Sequence, residues 1–404
     1  MLTLFIFLLT YIGVALGRIP ALTLDRTGIA LLGAIAMMLF GPISLSKAVD
    51  AIDFPTILLL YALMIISAQL RLSGFYTWVA LKVTVFLERP RLFLAMMMAI
   101  SALFSAVLAN DIICLAFTPV LCTVLLRSSL NPLPFLIGLA VSSNIGSAAT
   151  IIGNPQNMLI GQTGKLHFGA FLAWCIPPSF LALAAGYMVI YFIYRKNFTV
   201  NRHNILTEAN QDWPAFNLWQ STKGLAAVVI LITLFFTDIP REISAIGIAG
   251  ILLCSRKMKS RHIMHLVDWH LITLFCALFI VIQGITIENI PDAIITTLNQ
   301  RGIDLRNLYI LTGISTLMSN VVSNVPATML LIRFLEQGNP VQWYTLAVSS
   351  TFAGNLIVIG SIANLIVIEQ ARNYGIIIGF REHARVGVLI TLISLIILIG
   401  WIMW

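Results

Sequence analysis

Charged side chains are scarce in this sequence: Asp, Glu, Lys and Arg make up 10% of its 404 residues, whereas 59% of the residues are apolar. A soluble domain carries roughly 25% charged and about 45–50% apolar residues. This scarcity excludes an ordinary water-soluble domain and predicts an all-α polytopic membrane protein, because a bilayer core about 30 Å thick takes ~20 apolar residues per helix. Residues 2–17 precede the first charge, Arg18, and lack the positive start of a signal peptide, so they are expected to remain as the first helix.

The sequence also lacks the motifs of several kinds of site. It contains no Gly-rich phosphate loop, nucleophile elbow or zinc-protease motif. His262, His265 and His270 crowd one connection without metal-ligand spacing, so we expect no enzyme activity, no metal and no cofactor. The five cysteines are odd in number and predict no disulfide framework. The net charge of +8 is dispersed among the connections, as membrane orientation requires, and predicts no nucleic-acid partner.

Several apolar segments are too long for a single crossing. At 1.5 Å per residue, residues 91–127 would form a helix of ~55 Å, almost twice the thickness of the apolar core. Asn110 and Asp111 interrupt this segment, and a Gly-Asn-Pro run at 153–155 interrupts the next one. We therefore predict re-entrant hairpins at 91–127 and 305–336, and broken helices at 132–164 and 340–371.

Three polar motifs recur, in the same order, at about half the chain length, and such repeats are typical of secondary transporters. The recurring residues are Asp53 and Asp268 at an offset of 215, Ser105 and Asn110 with Ser319 and Asn324 at 214, and Gly153 and Asn157 with Gly360 and Asn364 at 207. We predict two repeats, 1–196 and 221–404, joined by a polar cytoplasmic linker at 197–220.

The distribution of positive charge predicts the topology. With five crossings per half and two hairpins that enter and leave on the same side, the repeats are inverted, and all but six of the 24 Lys and Arg residues fall on one face. Because positive residues concentrate on the cytoplasmic side, we expect this face to be cytoplasmic and both termini to lie outside the inner membrane. Segments 74–88 and 288–300 are either interfacial helices or short crossings. The six exceptions are Lys47, Lys165, Arg241, Arg301, Arg306 and Arg333.

The polar residues near the predicted midplane form two symmetry-related sets. A helix broken inside a bilayer exposes N–H groups at one half-helix start, which attract anions, and carbonyls at the other half-helix end, which hold cations. The alternative is that these residues only patch the breaks and allow close helix packing. The candidate solute-binding residues are Asn110, Asn144, Thr150, Gly153, Asn154 and Asn157 in the first half, and Asn320, Asn324, Asn355, Gly360, Ser361 and Asn364 in the second.

Asp111 is the only carboxylate predicted near the midplane, and its counterpart in the second half is Val325. Burying a charged Asp there costs ~3 kcal/mol, so such residues usually face a cavity and serve a function. We predict that Asp111 loads and releases a proton as the cavity changes sides; the alternative is a carboxylate permanently bonded to hairpin amides. The residues assigned to proton or cation coupling are Asp111, Ser105, Asn110, Ser319, Ser323 and Asn324.

Three further polar residues receive structural interpretations. Asp53 and Asp268 each precede an apolar helix, so both are interpreted as N-caps. Cys114 lies one turn from Asp111 and could bind a soft metalloid. We favour a small buried hydrophobe at this position, since free cysteine is among the most buried residue types.

These motifs carry a resemblance to a known family. The run Ala109-Asn110-Asp111, with Leu115 and Thr118-Pro119 after it, resembles the hairpin signature of bacterial arsenite permeases. The runs at 134–136, 142–150 and 153–157 are similar to the plant silicon-efflux transporters of that group. The residues at 354–356, 359–361 and 363–364 resemble the matching motif of the second half. The resemblance covers nearly the whole chain and indicates the ion transporter superfamily.

The resemblance implies a homodimer with a scaffold and a mobile transport domain, elevator-type alternating access, and proton-driven efflux of arsenite, antimonite or silicic acid. Sodium-coupled dicarboxylate carriers of the superfamily place Ser-Asn-Thr at both hairpin tips. Here the tips read Ala109-Asn110-Asp111 and Ser323-Asn324-Val325. The lost Ser and Thr argue against sodium, whereas the gained carboxylate fits protons. A sodium-coupled anion or dicarboxylate transporter, a sodium/proton antiporter and a channel remain the alternatives.

Overall fold

The computed structural model describes residues 2–17, 23–196, 198, 215–255 and 257–404, and the regular secondary structure within these ranges is entirely helical. Arg18 and most of the predicted linker at 197–220 lie outside the described residues. The predicted all-α class is therefore confirmed for the described part of the chain.

The described residues contain ten α-helices in each half, in matching order. Those of the first half are α1 (Leu2–Leu16), α2 (Arg26–Phe40), α3 (Leu45–Ala51), α4 (Phe54–Leu72), α5 (Phe75–Val83), α6 (Pro90–Val107), α7 (Asn110–Arg127), α8 (Leu133–Ser147), α9 (Pro155–Thr163) and α10 (Phe168–Tyr194). Those of the second half are α11 (Leu218–Leu234), α12 (Arg241–Leu253), α13 (Ser260–His265), α14 (Trp269–Ile287), α15 (Ile290–Gln300), α16 (Leu308–Val322), α17 (Asn324–Leu331), α18 (Pro340–Ala353), α19 (Ile362–Arg372) and α20 (Phe380–Met403).

Six helices in the described ranges are long and apolar enough to cross a membrane, namely α4, α6, α7, α10, α14 and α20. Helices α1, α2, α8, α11 and α16 are apolar but shorter, at 15–17 residues. Many large apolar side chains on these helices face outward, including Phe180 at 68% and Phe192 at 61% exposure. An outward apolar surface of this kind suits lipid as the surrounding solvent.

Each of the four long apolar segments is interrupted, and in each the next helix starts at or directly after an Asn or Ser residue. Leu108 and Ala109 separate α6 from α7, and Ser323 alone separates α16 from α17. Asn154 caps α9 and Pro155 follows as its first residue, where proline's missing N–H costs nothing. Ser361 caps α19 in the same way, accepting a hydrogen bond from the Ala363 N–H.

Asp53 and Asp268 are N-caps, so this prediction is confirmed. The Asp53 carboxylate accepts a hydrogen bond from the Thr56 N–H, and the Asp268 carboxylate accepts one from the Leu271 N–H, each at 2.9 Å. Both caps follow a short helix, α3 or α13, that the sequence pattern did not predict. These helices have seven and six residues and are too short to show an apolar periodicity.

The first helix of each hairpin packs against the first part of the broken helix that follows it: α6 against α8, and α16 against α18. Serine hydroxyls are hydrogen-bonded across both contacts, Ser101 to Ser142 and, at 2.6 Å, Ser315 to Ser349. Small residues with hydroxyl pairs let helix backbones approach closely inside a membrane. Helices α6 and α8 approach closely at Gly146, where a Cβ atom would lie 2.2 Å from the Ala102 backbone oxygen.

We predict that Gly146→Ala lowers the stability of the protein by about 1–3 kcal/mol, because the added methyl forces α6 and α8 apart. The measurement is the melting temperature of the detergent-solubilised protein. Gly247→Ala on α12 is the matched control, since a Cβ there meets nothing within 4 Å. Equal melting temperatures for both variants would contradict the close approach.

Candidate functional site

Four helices begin at one small cavity, which we call the central cavity. Helices α7 and α17 start here at the two hairpin tips, and α9 and α19 start here at the two breaks. Each helix start contributes a partial positive charge of roughly +0.5. The volume of the cavity is about 30 Å³. Its lining residues are Asn110, Asp111, Asn154, Pro155, Gln156, Ser323, Asn324, Val325, Ser361 and Ile362.

Asp111 contributes the only carboxylate to this lining. Its side chain is half-buried, and no group among the described residues donates a hydrogen bond to it. The geometry thus lacks the bonds to hairpin amides that a permanent cap would make. On the opposite tip, the counterpart Val325 is buried and apolar. The two halves of the cavity therefore differ by one carboxyl group.

Asn157 and Asn364 stabilise the unwound backbone of the two breaks. The Asn157 amide donates to the Ser147 and Thr150 carbonyls at 3.2 and 2.9 Å. The Asn364 amide donates to the Gly354 and Ile357 carbonyls at 2.7 and 3.2 Å. All these acceptors are related by the offset of 207. Neither asparagine lines the central cavity. Both lie behind the lining and hold the backbone of the breaks in place.

Hydrogen bonds link the two breaks in a reciprocal pattern. Asn154 of the first break donates to the Thr351 hydroxyl of the second half at 3.2 Å. Ser361 of the second break donates to the Asn144 side-chain oxygen of the first half at 2.8 Å. Asn154 and Ser361 are counterparts at the offset of 207, and so are Asn144 and Thr351. Asn144 also donates to the Asn355 oxygen at 2.9 Å, which makes it the centre of the network.

Each hairpin tip is held by the break of its own half. The Asn110 N–H donates to the Gly153 carbonyl at 3.3 Å, and the Ser143 hydroxyl donates to the Asn110 carbonyl at 3.1 Å. With its amide oriented to satisfy its neighbours, Asn324 donates to the Gly360 and Ser350 carbonyls at 3.1 and 3.2 Å. Ser350 and Gly360 are the counterparts of Ser143 and Gly153. Equivalent residues therefore position both tips.

Ser323 holds a backbone conformation that L residues rarely adopt. Its φ of +78° and ψ of 159° fall in a region used almost only by glycine. Such strain costs about 1–3 kcal/mol and persists only where the surrounding structure enforces it. It turns the chain abruptly from α16 into α17, so that α17 can begin at the cavity.

The remaining residues predicted for the site lie behind the lining. Ser105 is hydrogen-bonded to Ser143 at 2.9 Å, and Thr150 donates to the Ala106 carbonyl. Asn320 donates to the Thr316 and Ala353 carbonyls, each at 3.0 Å. Buried residues complete this layer: Ser319, Asn355, Gly153, Gly360 and Cys114. Within the described ranges, no group of three or more His, Cys, Asp or Glu residues could hold a metal ion.

The sequence reading missed four lining residues: Pro155, Gln156, Val325 and Ile362. Gln156 is the most informative of them, because its buried amide donates toward the Thr351 hydroxyl at 3.4 Å. Its position inside the Gly-Asn-Pro-Gln-Asn run was a usable signal. The comparison of the two repeats did not single out Gln156, because its counterpart at the offset of 207 is Ala363.

The comparison with protein families identifies the group to which the chain belongs. A model of the citrate transporter family, CitMHS, matches residues 5–353. The chain belongs to the citrate transporter family. It is accordingly a transporter and, with its several apolar helices, a multi-pass membrane protein.

Relatives of this member of the citrate transporter family align with it along most of their length. The 46 kDa membrane protein of Mycobacterium leprae is 29% identical over 99% of this chain and 97% of its own. Silicon efflux transporter LSI3 of Oryza sativa is 26% identical over 88% of this chain and 87% of its own length. A protein of Dictyostelium discoideum named as transporter arsB is 24% identical over 94% and 87%. The resemblance to arsenite permeases and silicon-efflux transporters is thereby confirmed.

We predict that Asn144→Ala destabilises this transporter by about 1–3 kcal/mol, because it removes the hydrogen-bond partner of three buried side chains of the second break, Asn355, Ser361 and Asn364. The thermal midpoint of the purified protein is the readout. Asn373→Ala, at an exposed position after α19, is the control and should melt like the parent. A parent-like midpoint for Asn144→Ala would remove the network from the account of stability.

Proposed function

We propose that this protein is a proton-coupled secondary transporter that exports a small neutral metalloid oxyacid, such as arsenite, antimonite or silicic acid. The observation that carries the proposal is the central cavity, where four helix N-termini surround one unpaired carboxylate. The predicted coupling and solute-binding residues that line it are Asn110, Asp111, Asn154, Ser323, Asn324 and Ser361. They bind the solute directly in this proposal, and the residues behind them set its geometry.

The mixture of donors and acceptors in the cavity supports a hydroxylated neutral solute. Helix N-termini and Asn amides donate hydrogen bonds, whereas the Asp111 carboxylate and Asn oxygens accept them. Each hydroxyl of an oxyacid both donates and accepts, so it can satisfy both kinds of group at once. A fully ionised anion offers no donor to Asp111 and is repelled by its charge.

The size of the cavity supports a small solute as well. One water molecule needs about 10–15 Å³ of such space, so about 30 Å³ suits a solute with few heavy atoms. Citrate, with three carboxylates, would require a larger cavity and cationic partners. A sodium-coupled anion or dicarboxylate transporter remains the second candidate, because four helix N-termini also favour negative charge.

Flux measurements on proteoliposomes test this function. We expect an imposed pH gradient to drive arsenite or silicic acid in the direction opposite to the protons. Succinate should not be transported, and a sodium gradient should drive no flux. In Asp111→Asn, pH-driven flux should be lost while the solute still binds, because the amide keeps the shape of the carboxyl but cannot carry the proton. Asp292→Asn, at an exposed position on α15, is the control with unchanged flux. Sodium-driven succinate uptake, or unchanged pH-driven flux in Asp111→Asn, would refute the proposal.

We further propose that the two halves are inverted repeats that alternate access to the central cavity by an elevator movement in a homodimer. In this proposal, the contact between the end of α9 and the start of α12 closes one side of the cavity. The Arg241 guanidinium donates to the Gly161 carbonyl at 3.0 Å, and the Gln162 amide donates to the Glu242 carboxylate at 3.0 Å. Arg241 belongs to the face predicted to be external, with both termini.

The other side is open. A cleft of about 540 Å³, which we call the open cleft, lies between the start of α2, the start of α14 and α19. Arg26 and Glu369 both line it. Arg26 is the counterpart of Arg241 at the offset of 215, and Glu369 is the counterpart of Gln162 at 207. The same two positions that close the external side thus line an open cleft on the side predicted to be cytoplasmic.

Inverted symmetry then predicts that Arg26 and Glu369 come together when the transporter faces outward. In a background without the five native cysteines, a disulfide between Gln162→Cys and Glu242→Cys should form in the inward-open state and stop transport. Thr27 is the counterpart of Glu242 at the offset of 215. A disulfide between Thr27→Cys and Glu369→Cys should therefore form only in the outward-open state, and reduction should restore flux for both pairs. Flux that persists with either pair crosslinked would rule out this alternation.

A further inference from the structure

A second cavity joins the central cavity to the open cleft. This side cavity has a volume of about 120 Å³ and shares Asp111 and Pro155 with the central cavity. It shares Asp268, Leu271 and Ile366 with the open cleft. A continuous series of lining residues therefore runs from Asp111 to the open side, and Asp268 belongs to both spaces along it.

Most of the side-cavity lining is apolar, but three charged residues face it. They are Asp111 on α7, Asp268 at the start of α14, and Arg71 on α4. One water molecule needs about 10–15 Å³, so the side cavity has room for several waters, and the charged groups supply polar partners for them. A solute covered with hydroxyls would lose hydrogen bonds against the apolar walls. A proton can pass along a few waters between the charged groups.

Asp268 differs from its counterpart Asp53 in what surrounds it. The two carboxylates cap their helices with the same geometry, each accepting from the N–H three residues ahead at 2.9 Å. Asp53 lies near the guanidinium of Arg333. Asp268 lies near the carboxylate of Asp111. Capping explains both residues equally, so it does not explain why one of them faces a second acid across a cavity.

We propose that Asp268 relays the proton between Asp111 and the open cleft, by a route separate from that of the solute. In the inward-open state, the O–H bond of the protonated Asp111 carboxyl breaks, and the proton passes through water to the Asp268 carboxylate. It then passes to water in the open cleft, and both carboxylates end ionised. Two ionised carboxylates in one cavity repel each other, and the lining holds a single positive charge, that of Arg71, so the pair suits a single exchangeable proton.

The other charged groups that face Asp268 lie in the open cleft. They are Asp25 and Arg26 of the α2 start, His270 on α14 itself, and Glu369 on α19. His270 and Glu369 are exposed, and His270 lies 3.9 Å from the Asp25 carboxylate. Asp268 is exposed at the open cleft as well, and it is the charged residue of this cleft that also lines the side cavity with Asp111.

The inference rests on the proposed proton coupling, and one pair of variants tests it. Asp268→Asn keeps the helix cap, because Asn caps as well as Asp, but it cannot accept a proton. Asp53→Asn makes the same change at the counterpart. In proteoliposomes, we expect Asp268→Asn to lower pH-driven flux by about tenfold or more and to alter its pH profile. Solute exchange without a pH gradient should stay unchanged in both variants, as should pH-driven flux in Asp53→Asn.

The outcomes separate the relay from the proposed function. If the parent protein shows no pH-driven flux, both the proposed proton coupling and the relay are refuted. If the parent is driven by pH and Asp268→Asn has the parent's rate and pH profile, only the relay is refuted. Equal losses in Asp268→Asn and Asp53→Asn, together with lower melting temperatures, would reduce Asp268 to a helix cap. A changed affinity for the solute in Asp268→Asn, with the pH profile intact, would assign the side cavity to the solute.

Discussion

The need to satisfy backbone hydrogen bonds away from water governs this structure. A helix that stops within an apolar medium leaves amides and carbonyls unpaired, and each such group costs several kcal/mol. The chain makes four such stops and brings the four new helix starts to one cavity. The carbonyls on the other side of each break are given to asparagine amides, as in Asn157 and Asn364. Asn154 and Ser361 cap two of the helix starts, and the proposed function assigns the amides that remain at the cavity to the solute.

The reciprocal bonds between the halves explain how such a site keeps its shape. Asn154 reaches Thr351, and Ser361 reaches Asn144, so each break is positioned partly by the other. Neither half could form the cavity by itself. This dependence gives a physical reason for duplicating the broken helices, because each copy supplies the hydrogen-bond partner that its counterpart requires.

The sequence was sufficient for the local features and insufficient for the ones that depend on contacts between helices. Polar residues inside long apolar runs predicted interruptions near Asn110 and Asn154, and the recurrence of Asp53 at Asp268 predicted two caps. The link from Asn144 to Ser361 could not be read, since nothing in a linear pattern states which amide reaches which oxygen. For the same reason, the prediction that Asp268 caps a helix was correct, but it missed that Asp268 also lines the side cavity. A side-chain oxygen can cap a helix and line a cavity at once, and only the packing of α4, α7 and α14 brings that cavity into being.

The pairing of Asp111 with Val325 has a consequence for energetics. The two halves supply equivalent backbones at the tips, but only one supplies a carboxyl group. In the proposed elevator movement, the charge of the moving part therefore changes by one unit when Asp111 binds or releases a proton. If this part crosses outward with a neutral solute and returns protonated, each cycle moves one elementary charge across the bilayer. Membrane voltage then contributes about 2.3 kcal/mol per 100 mV to each cycle, and an interior-negative cell would extrude the solute even where the pH on the two sides is equal.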